Sequence, residues 1–215
     1  MGRVALVGAV AAALLASAAS ARAGIVAQPL GSALVLHAAP AGAVVATLSR
    51  RTEFGSPLVL AVAARRGRWL GVITPLLPNG RLAWIEAWSV RESSVSLHLE
   101  ISLGAQRLLL LRGRTVLARI PVGIGAPGSP TPTGTFAVTD KLAGARFSSV
   151  YGCCILALSG HQPHPTSGWT GSDTRLAIHG GAPGAVSGGC LHATTAALRF
   201  LVARVPLGTR VTIRA

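Results

Sequence analysis

The chain has 215 residues, of which 50% are hydrophobic, 12% charged and 4% aromatic. A chain this apolar buries enough surface to offset its ordering entropy, which excludes a disordered charged tail, and its length suits one medium domain or two small ones. Twenty basic residues, nearly all arginine, against six acidic ones give a net charge of +14, so a polyanionic partner is expected: nucleic acid, anionic lipid or an acidic wall polymer.

Arg3 is followed by an Ala/Val/Leu run from Val4 to Ala19 and then by Ala21-Arg22-Ala23. A positive start, a short apolar stretch and an Ala-x-Ala ending fit an export signal, residues 1–23, cleaved after Ala23. The run falls short of the roughly 20 residues of a membrane span, and an uncleaved N-terminal anchor is the alternative. Losing Arg3 and Arg22 leaves 18 basic against 6 acidic residues, a net +12. The expectation is an exported protein of the periplasm or cell wall. Nucleic acid then drops out as a partner, anionic cell-wall polymers remain, and the membrane enters only through an uncleaved signal segment.

Residues 24–93 read as a small all-β unit. Leu34–Leu36, Val44–Leu48, Leu58–Ala64, Trp69–Thr74 and Leu82–Ile85 are five short strands, separated by Pro40-Ala41-Gly42, Gly55-Ser56-Pro57, Arg66-Gly67 and Pro78-Asn79-Gly80. Trp69 and Trp84 are expected in its core. Gly67-Arg68-Trp69-Leu70-Gly71-Val72 and Asn79-Gly80-Arg81-Leu82-Ala83-Trp84-Ile85 resemble the bacterial SH3-like wall-targeting module, which implies a small barrel acting as a wall-binding or spacer unit. The boundary with the second domain, residues 94–215, is placed at Arg91–Ser94.

Beyond it, Val95–Ile101 reads as a strand, and Leu108–Leu111, Arg112-Gly113-Arg114 and Val116–Val122 as a hairpin with a glycine turn. Phe136–Thr139 and Leu176–His179 are further strands. Leu198, Leu201, Val202 and Val205 fall at helical spacing after Thr194, a candidate N-cap, and Pro206 limits that helix. Thr209–Ile213 is the last strand. The expected domain is mainly β with one substantial helix.

The cysteines are Cys153, Cys154 and Cys190, an odd count for an exported chain. The first two are adjacent and can join only in a strained eight-membered ring. Cys190 sits in Ser187-Gly188-Gly189-Cys190-Leu191-His192, just ahead of the predicted helix. Two glycines permit close approach of a substrate backbone. Amides at a helix start would lower the thiol pKa and receive an oxyanion. A thiolate nucleophile wants a base within hydrogen-bond reach. His179 ends a strand eleven positions earlier, and the Gly/Pro-rich loop from Gly180 to Val186 can bring the two together; a strand-end histidine and a buried cysteine that never meet is the competing reading. His161, His164, His179 and Cys190 show no tight paired spacing, so no metal site and no cofactor are read.

Pro121-Val122-Gly123-Ile124-Gly125, Thr131-Pro132-Thr133-Gly134-Thr135-Phe136, and Leu176-Ala177-Ile178-His179-Gly180 followed by Ser187-Gly188-Gly189-Cys190 resemble, in this order, the motifs of the L,D-transpeptidase (YkuD) family. The resemblance covers about 94–215 and implies a β-sandwich or barrel with one main helix after the catalytic cysteine. It implies Cys190 as nucleophile, His179 as catalytic histidine, the Gly180 carbonyl as orienter of its ring, and Ser187, Gly188 and Gly189 as orienting or oxyanion residues. His192, Tyr151 and His161 are candidate substrate contacts. The implied activity joins peptidoglycan stem peptides through a cysteine thioester, with carbapenems as covalent inhibitors. An L,D-carboxypeptidase and an inactive peptidoglycan-binding protein are the alternatives. Two positions depart from the family pattern: Gly188 stands where His is usual, and His192 where Arg or Asn is usual.

Overall fold

The computed structural model describes residues 24–163 and 174–215; the expected export signal and His164 lie outside them. Seven strands build a first sheet: β1 (Gly24–Pro29), β2 (Ala33–His37), β3 (Val44–Ser49), β4 (Leu60–Arg66), β5 (Trp69–Ile73), β6 (Ala83–Glu86) and β7 (Val90–Val95), in the order β3-β2-β6-β5-β4-β1-β7. Leu34, Leu36, Leu70, Val72 and Ile85 fill its core, and Trp69 and Trp84 are buried. The sheet has two strands more than the sequence reading allowed. Arg91–Ser94, where the sequence reading places the domain boundary, is strand: Arg91, Glu92, Ser93 and Ser94 pair with Gln28, Ala27, Val26 and Ile25. Pairing with β1 continues to Val95, and the chain leaves the sheet at Ser96.

The rest of the described chain is mainly β with one α-helix. β8 (Leu97–Ser102), β9 (Arg107–Arg112), β10 (Thr115–Pro121), β11 (Ile124–Gly125), β12 (Gly134–Ala143), β13 (Cys154–His161), β14 (Arg175–Gly180), β15 (Ala185–Ser187) and β16 (Leu191–Ala193) precede helix α1 (Thr195–Arg204) and β17 (Arg210–Arg214). Eight of these strands form a sheet ordered β10-β9-β8-β17-β12-β13-β14-β16, while β11 and β15 pair separately. Most neighbours are antiparallel, but β8 and β17, and β14 and β16, run parallel. The hairpin at Gly113 and the helix after Thr194 form where the sequence pattern puts them: Gly113 adopts φ +58°, and Thr194 Oγ1 accepts from Ala197 N–H. Leu198 and Leu201 on α1 pack into a core with Phe136, Leu156, Leu176, Ile178 and Leu191.

The two sheets meet through specific contacts. Ala61 and Ile73 pack on Ala137. Asn79 donates to the His161 carbonyl at 2.7 Å and accepts from its N–H at 2.8 Å. Arg175, buried on β14, reaches Glu53, lies 3.5 Å from buried Asp140, and donates to Thr139 Oγ1. Thr52 donates to Asp140 at 2.5 Å. Phe54 stacks edge-on against Phe147 at 6.0 Å. A loop of the first sheet therefore reaches the strand that carries His179.

Candidate active site

Parallel pairing of β14 and β16 sets Ile178 against Leu191 and His179 against His192. Side chains alternate along a strand and cross-strand partners share a face. Ala177, His179, Cys190 (immediately ahead of β16) and His192 therefore face one side, while Ile178 and Leu191 enter the main core on the other. On the site's side, Cys190 packs with Tyr151 and Phe147 on a small apolar cluster of Leu142, Ile155, Ala157 and Ala177.

The loop before Cys190 is held by the other two motifs. Gly123 and His192 exchange backbone hydrogen bonds at 2.9 and 3.0 Å. Thr131 Oγ1 accepts from Gly125 N–H and donates to the Gly189 carbonyl. Ser187 Oγ donates to the Cys190 carbonyl at 2.6 Å and accepts from Gly189 N–H at 3.1 Å. Buried Gln162 donates to the Pro130 carbonyl and lies 3.4 Å from the Gly188 carbonyl. Gly189 needs its φ of +116°, which disfavours any residue with a Cβ.

His179 is buried, and its Nδ1 lies 2.7 Å from the Gly180 carbonyl. A carbonyl only accepts, so Nδ1 carries the proton and Nε2 is left as a lone-pair base. Burial pushes the imidazole pKa down to about 4, against the raising effect of the Gly180 contact, and nearby His192 lowers it further. The Tyr151 ring stands edge-on to His179 at 4.9 Å, and the His192 ring is tilted against it at 4.8 Å. Burial raises the Tyr151 pKa, helped by the Cys190 charge. His192 Nδ1 lies 2.9 Å from the Ala182 carbonyl. Its ring covers Gly181, where a Cβ would come within 2.5 Å of Nδ1.

The structure shows further detail at the residues singled out in the sequence. Cys190 is not at a helix start: β16 intervenes and α1 begins at Thr195. Burial against the apolar cluster pushes its thiol pKa up to about 11, only partly countered by the Ala177 amide. The thiol lies 4.0 Å from the Arg175 carbonyl and makes no hydrogen bond to His179. The Gly189 amide, expected as an oxyanion donor, is occupied by Ser187. His161 bridges the sheets, with Nε2 2.6 Å from the Pro75 carbonyl and Nδ1 3.2 Å from Thr174 Oγ1. The sequence reading missed Thr131, Gln162 and Arg175 as supports of this site. Thr131 lay inside a quoted motif, whereas the other two carried no local signal.

Among the described residues no cluster of three His, Cys, Asp or Glu side chains could hold a metal, and no helix is long and apolar enough to cross a membrane.

Residues 96–213 match the YkuD profile, the L,D-transpeptidase catalytic domain. No curated protein matches the sequence. Similar solved structures include L,D-transpeptidase 1 from Mycobacterium tuberculosis, 19% identical, covering 62% of this chain and 77% of that one with a TM-score of 0.40. L,D-transpeptidase 3 of the same organism is 15% identical, with coverage of 62% and 74% and a TM-score of 0.46. An L,D-transpeptidase from Mycobacterium smegmatis is 14% identical, with coverage of 65% and 76% and a TM-score of 0.41.

Proposed function

The chain belongs to the family of L,D-transpeptidase (YkuD) catalytic domains, and from that premise we propose that it cross-links peptidoglycan stem peptides through a thioester on Cys190. The observation that carries the reading is the shared face of His179 and Cys190 on parallel neighbours, with the His179 Nδ1 proton committed to Gly180. At rest the pair is a thiol and a neutral imidazole, because burial raises one pKa and lowers the other. Deprotonation is therefore coupled to attack. As the sulfur bonds to the carbonyl carbon of the donor's L,D peptide bond, Nε2 takes the thiol proton, and the Cys190 amide faces the oxyanion. The imidazolium then protonates the departing D-alanine amine, leaving a tripeptide thioester. An acceptor amine opens that thioester, and its proton returns through His179 to the sulfur.

Ser187, Gly188 and Gly189 shape the loop that aims Cys190. His192 and Tyr151 flank the catalytic imidazole and contact the donor stem. No metal or other cofactor enters the reaction. Residues 1–23 serve export to the periplasm or cell wall, and residues 24–93 serve as an SH3-like wall-binding or spacer unit. The basic charge favours residence on an anionic wall.

The departures at Gly188 and His192, together with the raised thiol pKa, favour a second reading, a catalytically silent peptidoglycan-binding protein. Mass analysis of tetrapeptide muropeptides incubated with the protein separates the outcomes. Cross-linked dimers are expected. Tripeptides alone mean water is the acceptor and the enzyme is an L,D-carboxypeptidase, while unchanged substrate overturns the enzymatic reading.

A further inference from the structure

We propose that Cys153 and Cys154 form a thiol–disulfide exchange site, reactive toward dithiol reductants, whose redox state sets the position of Tyr151 against His179. The two neighbours are bonded to each other, and Cys190 is the free cysteine. Both bonded residues are partly exposed, and the Cys153 sulfur lies 3.9 Å from the Thr195 carbonyl at the start of α1. The pair packs on the main core with one side and keeps part of its surface toward solvent on the other.

The pair lies one residue beyond a segment that packs on the catalytic strand. Tyr151 is edge-on to His179. Gly152, at φ +69°, packs its backbone so closely on Gly180 that a Cβ on Gly180 would come 3.0 Å from the Tyr151 carbonyl and 3.1 Å from Gly152 Cα. Gly144 N–H donates to the Cys153 carbonyl at 3.1 Å, and Cys154 pairs with Ala143 at the start of β13. Successive side chains of an extended strand project to opposite faces. A bond between neighbours holds both sulfurs on one side, and β13 starts only at the second of them, Cys154. Reduction removes that constraint, and Tyr151–Gly152 shifts relative to Gly180 and the His179 ring.

The exchange balances. A thiolate of the reductant attacks one sulfur of the pair and forms a mixed disulfide, releasing the other as a thiolate that takes a proton. The reductant's second thiolate attacks the mixed disulfide and releases the remaining cysteine. The pair gains two electrons and two protons, and the reductant becomes a disulfide.

Tyr151 is the chain's single tyrosine, so tyrosine labelled with 13C gives one ring signal beside both the pair and His179. The test uses the full chain, oxidised or treated with dithiothreitol and desalted. Maleimide counting in denaturant should give one reactive thiol before reduction and three after. Reduction should shift the Tyr151 signal and slow acylation of Cys190 by a carbapenem five- to tenfold, and reoxidation should restore both. The doubly substituted Cys153→Ser/Cys154→Ser protein should respond to neither treatment. Three thiols before reduction, or a Tyr151 signal and acylation rate indifferent to redox state, would overturn the proposal. Only the acylation effect rests on the function proposed above. A redox-sensitive Tyr151 signal without acylation in either state upholds the exchange site and overturns acyl transfer instead.

Discussion

The environment of Cys190 and His179 sets their protonation, and that has measurable consequences. With the thiol pKa pushed up to about 11, alkylation of Cys190 by iodoacetamide should rise about tenfold per pH unit from 7 to 10, since the thiolate is the reactive form. A plateau near pH 8 would show an activated thiolate and contradict a neutral resting pair. His179, with its pKa lowered to about 4, stays neutral in the folded protein while the unfolded chain takes up a proton near 6.5. The unfolded state thus binds more protons between those values. Stability is full above about pH 6.5 and falls as the pH drops toward 4, by about 3 kcal/mol from this group. Denaturant titrations of wild type and His179→Gln across that range check it: the variant should lack this part of the pH dependence. Cys190 and His179 were legible as candidates because their local signals, two glycines before a cysteine and a histidine ending an apolar run, need no tertiary information; only the family resemblance paired them. The direction of the Cys190 pKa shift was not, because the cluster that buries it comes from Leu142, Ile155 and Ala157 on other strands.

Elements with a local signature were read correctly, and elements defined by their neighbours were missed. The helix from Thr195 carries its cap and its apolar spacing in ten residues. By contrast, Ile155 to Gly160 of β13 are buried without a break, so no alternation marks them as strand. β7 was not read as a strand because Arg91–Ser94 are polar, and only pairing with β1 makes them one. Arg175 belongs to this second kind, since Glu53 is 122 positions away in sequence. Its guanidinium is buried with Asp140, while the Glu53 side chain is 55% exposed. Arg175→Ala strands the Asp140 carboxylate and should cost about 3–5 kcal/mol, whereas Glu53→Gln should cost at most about 1 kcal/mol. Urea denaturation of the two variants measures the difference, and equal losses would show that Glu53, not Asp140, is the partner that matters.

For the molecule as a whole, the contacts between the sheets make the first one part of the catalytic strand's support. Arg175 starts the strand that ends in His179-Gly180, and its carbonyl faces the Cys190 thiol. A fragment starting at residue 94 exposes Ala137, uncovers Arg175 and removes the Asn79 and Pro75 contacts of His161, so it should unfold at a lower temperature than the full chain. Calorimetry of both proteins tests this, and identical midpoints would mean that the sheets are energetically independent. The net +14 adds long-range attraction to anionic polymers that salt screens within about 10 Å at 0.1 M. The central claim, that Cys190 carries an acyl group derived from a stem peptide, is tested most directly by quenching the enzyme with a tetrapeptide donor in acid and mapping the modified peptide by mass spectrometry. The account predicts a tripeptide thioester on Cys190, absent in Cys190→Ala and strongly diminished in His179→Gln; donor consumption with Cys190 unmodified, or an adduct on Cys153 or Cys154, would contradict it.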